Sequence, residues 1–230
     1  MPTRMPESKN PAQQPAALEL PRASRVLAFA PHADDDVLGA GGALALHARR
    51  GDRVRVVVAF DGKLGLAPGV DPRVRREEAL AAGEELGVRD FAFWDYPEGH
   101  EPAPSELELA VERVARELAD CAPDVVYAPW SGDEHVDHRV LARVTRAALE
   151  RARFAGRAFG YEVWSACPAD VVLDVGAVWP QKLAALARHR SQLARTDLAA
   201  LALGNAQRAG RWLGPARFGE AFVETRWGPR

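Results

Sequence analysis

The sequence predicts an α/β fold: a Rossmann-like, doubly wound, mostly parallel sheet of order 3-2-1-4-5, with helices on both faces. Three observations carry the prediction. Short apolar or β-branched runs alternate with segments of helical period along the chain. Glycines close the first two helical segments, at Gly51 and Gly87. The segments after the first and fourth apolar runs, PHADDDVLGAGG (31–42) and PWSGDEHVDHRV (129–140), gather His and Asp where such folds keep their chemistry.

Element by element, residues 26–30 (VLAFA) read as a buried strand and 43–50 as the helix after it. Residues 54–60 (VRVVVAF) are the clearest strand, rich in β-branched side chains. Residues 73–86 form an amphipathic helix, 91–94 a short strand and 106–121 a further helix. Residues 125–128 are a strand ended by Pro129, and 140–152 are helical. Beyond them, 160–164 and 171–175 are expected as strands, 180–203 as one or two helices, and 217–226 as a last edge strand. Parallel strands joined by helices require right-handed crossovers, and ligands bind outside the carboxyl ends where strand order reverses. The first and fourth strands flank that crevice, so the two His/Asp segments converge on it.

The length fits one domain, 23–230, preceded by a polar, proline-rich stretch, 1–22, that reads as a flexible N-terminal arm. That stretch lacks the apolar middle of a signal peptide. With 30 basic against 32 acidic residues the net charge is −2, so no global field calls for nucleic acid or an anionic membrane. No apolar run is long enough to span a bilayer. Cys121 and Cys167 are too few for a disulfide framework, which fits a reduced, cytoplasmic setting.

Three consecutive carboxylates, Asp34 to Asp36, repel one another and resist burial. A divalent cation relieves the crowding, and three of the six histidines (His32, His135, His138) lie in the same two segments. His32 and Asp35 are three residues apart, so a tight turn can aim both inward. One histidine of HVDH then completes a His₂Asp set with an open position, the arrangement of catalytic rather than structural zinc. The blander reading is a capping or surface-charge role. The glycines GAGG (39–42) lack the GxGxxG spacing, and beside three aspartates they suit close helix–sheet packing better than a dinucleotide. His47, in mid-helix, is expected on the surface, and His100 in a loop. Trp130, next to the HVDH segment, offers a stacking face for a sugar ring.

PHADDD paired with HVDH resembles the LmbE/PIG-L family of zinc-dependent de-N-acetylases, whose hallmarks are PHPDDE and an HPDH-like motif. RREEALAAGEELGV (75–88), YEVW (161–164), KLAALARHRSQ (182–192) and FGEAF (218–222) share the family's look. The chain departs from the pattern at Ala33 and Val136, where proline is usual, and at Asp36, where glutamate is usual. The resemblance implies His32, Asp35 and His138 as ligands of Zn²⁺, with Fe²⁺ or another divalent ion as the alternative. It implies Asp34 as general base, His135 as an imidazolium stabilising the oxyanion, and Asp137 orienting it. Arg75 and Asp95 correspond to positions that reach the substrate. The expected activity is removal of the N-acetyl group from a GlcNAc-like moiety, by a cytoplasmic trimer or hexamer. A metal-dependent hydrolase of another amide, in antibiotic or sugar-conjugate biosynthesis, is the alternative. A nucleotide-binding module would instead retain NAD without metal, and a non-catalytic metal binder would have no need of Asp34 or His135.

Overall fold

In the computed structural model, which describes residues 14–215 and 217–226, the apolar runs become strands of one sheet. The first half of the chain forms β1 (Ala16–Leu18), β2 (Arg25–Ala30), α1 (Asp35–Arg50), β3 (Arg53–Phe60), α2 (Arg73–Leu86) and β4 (Asp90–Tyr96). Next come α3 (Pro104–Cys121), β5 (Val125–Pro129), α4 (Val136–Arg151), β6 (Arg157–Tyr161) and β7 (Val171–Asp174). The chain continues through α5 (Trp179–Leu186), α6 (Arg190–Leu193), α7 (Leu198–Gly210) and β8 (Gly219–Arg226). The sheet order is β1-β7-β8-β6-β5-β2-β3-β4. Within it, β4-β3-β2-β5-β6 is the expected 3-2-1-4-5 core, parallel throughout.

The sheet is longer than that core, and the additions correct two expectations. The last strand is interior rather than an edge: β8 runs antiparallel between β6 and β7. The part of the expected arm that lies among the described residues also joins the sheet. Ala16–Leu18 pairs in parallel with β7, because a short apolar segment satisfies the backbone groups that β7 would otherwise leave open. Residues 1–13 of that arm lie outside the described residues. Residues 180–203 were expected as one or two helices; here α5, α6 and the start of α7 share them.

Alternation along β2 builds the two halves of the core. Val26, Ala28 and Ala30 face α1 and α2, whereas Leu27 and Phe29 pack with Val111 and Val114 of α3 and Leu141 and Val144 of α4. Helix α1 starts eight residues before the expected position 43, because its glycines serve packing rather than a loop. A Cβ on Gly39 would lie 2.0 Å from the Tyr161 ring. Among the described residues, no helix is long and apolar enough to cross a membrane. Cys121 and Cys167 are free thiols.

Candidate active site

Strand β2 ends at Ala30, and the loop after it is tied to β3 where Pro31 O accepts the Phe60 N–H at 2.9 Å. The chain then turns at once into α1, with Asp34 as the residue before its first turn. That turn folds Asp35 beneath His32. Asp35 Oδ2 accepts the His32 N–H at 2.9 Å and lies 3.0 Å from His32 Nδ1. Asp35 and Asp36 occupy the first turn of α1, where the helix dipole favours carboxylates. From the neighbouring β5, His135 caps α4 and His138 stands in its first turn, with Nε2 3.1 Å from Asp35 Oδ2. His32, Asp35 and His138 thus offer ligand atoms within 4.8 Å of one another, all buried, from the two loops of the switch point.

The donor set fits a divalent cation. His138 is wholly buried, yet neither ring nitrogen has a well-directed hydrogen bond. An ion at Nε2 would supply the missing partner, and Asp133 Oδ1, 3.4 Å from Nδ1, stands where an outer carboxylate would fix the tautomer. His32 shows the same surplus of negative charge. Burial opposes its protonation, but Asp137, Asp35 and Glu98 together push its pKa well above the usual imidazole range. Asp35, despite burial, is held well below the usual carboxylate range by His138 and His32. Burial and the charges of Asp34 and Asp35 push Asp36 up to about 8, and its Oδ1 has no partner. Buried imidazoles amid excess carboxylate suit Zn²⁺ or Fe²⁺. His32, His135 and Asp137 form a second group of potential donors. A neutral imidazole has one free lone pair, so His32 serves one group at a time. The fully buried group is the better cage.

Asp34 and Arg75 sit beside this cage. Arg75 is buried, donating from Nη2 to Asp34 Oδ1 at 2.9 Å and from Nη1 to Gly62 O at 3.0 Å. Both side chains line a cavity of about 340 Å³ together with His32, Asp35 and His135. His135 is half-buried, and its Nδ1 accepts the Asp137 N–H at 3.3 Å, which leaves the proton on Nε2. Burial, reinforced by His32 and His138, lowers its pKa below the ordinary imidazole value. Asp137 stands between two of the histidines. Its Oδ2 is 3.1 Å from His32 Nε2 but 3.8 Å from His135 Nδ1, and both oxygens accept the Gly99 N–H. Its carboxylate is thus nearer to His32, while its backbone N–H meets His135. Burial works against its ionisation, but His32 and the Gly99 N–H still hold its carboxyl below the usual range.

Two expected substrate contacts lie elsewhere. Asp95, at φ 56°, points outward and pairs with Arg76 at 2.8 Å, away from the cavity lining. Trp130 turns toward the β7–β8 side, donating from Nε1 to Ser165 O, and does not line the cavity. Trp164, at the end of the YEVW segment, lines it instead. Glu98, Asp133 and Arg195 stand in the site as well. Glu98 Oε2 is 3.3 Å from His32 Nε2, Asp133 backs His138, and Arg195 stands at the cavity wall. Isolated acidic or basic residues in loops carry no motif: Glu98 lies within PEGHEP and Asp133 just before HVDH, whereas Arg195 lies near neither.

Comparison with known proteins bears on this arrangement. The profile of the PIG-L family, GlcNAc-PI de-N-acetylase, matches residues 27–149. The 1D-myo-inositol 2-acetamido-2-deoxy-alpha-D-glucopyranoside deacetylase of Mycobacterium sp. (strain KMS) is 34% identical over 169 residues, 61% of this chain and 55% of that protein. The chain therefore spans about half the length of that relative. A 4-oxalmesaconate hydratase of Pseudomonas putida is 29% identical over 188 residues, 70% of each chain. Among solved structures, the N,N'-diacetylchitobiose deacetylase of Pyrococcus horikoshii shares the fold, with a TM-score of 0.74 at 23% identity over 88% of this chain and 84% of that one. The matched segment covers more than half of the sequence and contains both His/Asp loops, and the chain belongs to the PIG-L/LmbE family.

Proposed function

We propose that the chain is a metal-dependent de-N-acetylase that removes the N-acetyl group from a GlcNAc-like moiety of a small molecule or sugar conjugate. The observation that carries this reading is the convergence of His32 Nδ1, Asp35 Oδ2 and His138 Nε2 beside the Asp34–Arg75 pair. The names of the deacetylase relatives support the reaction class. Zn²⁺ is the first candidate ion, with Fe²⁺ or another divalent metal after it. These three residues would hold such an ion, which would supply Lewis-acid chemistry, acidifying water and polarising an amide carbonyl.

The chain's own residues complete the chemistry. Asp34, with Oδ1 fixed by Arg75, accepts a proton from the attacking water at Oδ2 and delivers it to the departing amine. His135 presents its Nε2–H to the developing oxyanion. Asp137 and Glu98 hold His32 in orientation. Trp164 supplies an apolar face for the sugar ring. The same reading expects a cytoplasmic trimer or hexamer without nucleic-acid or membrane partners, and light scattering checks the assembly.

The test is acetate and amine release by protein loaded with Zn²⁺ or Fe²⁺. N-acetylglucosaminides are expected to be cleaved faster than acetyl-lysine peptides. Release of another acyl group without acetate supports the alternative, a hydrolase of a different amide. Hydration of 4-oxalmesaconate with no amide cleaved overturns both.

A further inference from the structure

The chain from α6 to the start of α7 lines the polar cavity through Gln192, Arg195, Thr196 and Leu198. Hydrogen bonds fix this segment in place. Glu78 of α2, itself buried, accepts the Ser191 N–H at 2.8 Å and the Ser191 hydroxyl at 2.6 Å. Gln192 Nε2 donates to Gly65 O at 3.5 Å, and Asp197 caps α7 by accepting the Ala200 N–H at 2.9 Å. A side chain carried on such a segment meets a ligand without the ordering cost of a mobile loop.

Arg195 is joined to the candidate metal cage through a single residue. Its Nη1 donates to Leu64 O at 3.2 Å. The N–H of the same Leu64 donates to Glu98, whose Oε2 is 3.3 Å from His32 Nε2. The guanidinium therefore stands one peptide unit and one carboxylate away from the cage. Arg75, the other arginine of the lining, is committed to Asp34. Among the described residues, Arg195 has no carboxylate partner, and its Nε and Nη2 have no acceptor. Gln192, Thr196 and Leu198, which line the cavity with it, carry no charge. An arginine offers five donors, no acceptor and a charge that does not titrate away. A neutral hydroxyl engages one of those donors. A carboxylate or phosphate engages the Nε–Nη2 edge with two parallel, charge-assisted hydrogen bonds.

We propose that Arg195 is a specificity-determining residue, pairing through Nε and Nη2 with a carboxylate or phosphate of the molecule whose amide lies at the cage. The amide rests on the function proposed above; the pairing of an anionic sugar with Arg195 does not. The substrate class is then an acidic conjugate of the N-acylated amino sugar rather than a neutral one.

Two comparisons on the metal-loaded protein test this and tell carboxylate from phosphate. One sets carboxymethyl N-acetylglucosaminide beside its carboxamide, and the other sets N-acetylglucosamine 1-phosphate beside methyl N-acetylglucosaminide. At least one acid should exceed its neutral partner about 10- to 100-fold in kcat/KM, the range for a hydrogen bond to a charged group. A contact remote from the reacting amide is made in ground and transition states alike, so the gain should lie in KM. It should shrink as salt rises. Arg195 is exposed, so its replacement should leave the fold and the metal content intact. Arg195→Gln should bring the acid-to-neutral ratio to about one, and Arg195→Glu should turn it lower still. A residue that merely held Leu64 would change both rates together and leave the ratio as it was.

Calorimetric titration with the corresponding free amines, carboxymethyl glucosaminide and glucosamine 1-phosphate against their neutral partners, reads the same pairing without hydrolysis. Acid preference absent from rate and binding, or surviving both substitutions, overturns the assignment to Arg195. Acid-selective binding that is lost in both variants, with no amide cleaved in any compound, upholds Arg195 and overturns the hydrolase reading. Hydrolysis at equal kcat/KM for acid and neutral partners does the reverse.

Discussion

Asp133 Oδ1 lies 3.4 Å from Nδ1 of His138, on the opposite side of the imidazole from Asp35, and both residues are buried. A histidine that binds a cation through Nε2 carries its proton on Nδ1, and a carboxylate there fixes the tautomer and raises the ring's basicity. Asp133 also accepts the N–H groups of His135, Trp164 and Ser165, so it couples the α4 loop to the cavity wall. Asp133→Asn is expected to weaken metal binding by about 10- to 100-fold, measured by competition with a chelator. Unchanged affinity would remove Asp133 from the metal's outer shell.

Arg75 depends on a glycine. Gly62 sits at φ 64°, and a Cβ there would fall 2.5 Å from Arg75 Nη1, the atom that donates to Gly62 O. Gly62→Ala therefore strains the turn and displaces the guanidinium from Asp34. Metal content should be unchanged while kcat/KM falls by up to about 100-fold, the cost of misplacing a reacting group by an ångström. A variant with full activity would show that Arg75 holds Asp34 less tightly than its geometry implies.

The helix that presents Asp35 is anchored by a buried ion pair. Lys182 Nζ lies 2.7 Å from Glu220 Oε1 and donates to Leu38 O, while Glu220 accepts the N–H groups of Gly42 and Ala43. Both side chains are almost completely buried. Removing one charge strands the other, which costs about 3–5 kcal/mol. Lys182→Met is expected to destabilise by that amount, and the double variant Lys182→Met/Glu220→Gln by less than the two single changes together. Denaturant unfolding of the four proteins checks this, and strict additivity would refute the coupling.

These residues show where the sequence was readable. The parallel core and the meeting of PHADDD with HVDH followed from periodicity and the switch-point rule, which depend on backbone topology alone. The start of α1 did not follow, because GAGG lowers helix propensity while packing against Tyr161 demands it. Side-chain direction was the other blind spot. Trp130 and Asp95 both lie at the right ends of strands, yet Trp130 turns to Ser165 and Asp95 to Arg76. Lys182 and Glu220 fall in two separate motifs, and a pair 38 residues apart carries no local pattern.

His47, expected on the surface, is wholly buried, with Nδ1 2.7 Å from Asp52 Oδ2 and Nε2 3.1 Å from the Tyr127 hydroxyl. Burial lowers its pKa, overcoming the pull of Asp52, and Arg50 adds to the drop. In the unfolded chain the same ring takes up a proton near pH 6.5. Below that pH the unfolded state binds more protons than the folded one. The neutral ring's contribution is thus complete above the unfolded pKa and declines as pH falls through it toward the folded pKa. Between about pH 7.5 and about 5.5, the metal-saturated wild type should lose stability more steeply than His47→Gln. Parallel profiles in urea titrations would show that His47 is not a source of the slope.

Asp34 and Asp35 are adjacent, yet the structure gives them different partners. Asp35 Oδ2 meets His32 Nδ1 and His138 Nε2, whereas Asp34 Oδ1 meets Arg75. A carboxylate between two imidazoles is built to share a cation with them. One fixed by an arginine at the cavity wall keeps its second oxygen for a proton. Asp34→Asn preserves size and the Arg75 contact but removes the proton acceptor. It should keep its metal while kcat falls by about two to four orders of magnitude. Asp35→Asn should lose metal affinity first, with activity partly restored by excess Zn²⁺. Metal content by elemental analysis, set beside kcat for both variants, separates the roles. Loss of metal from Asp34→Asn and its retention in Asp35→Asn would reverse them.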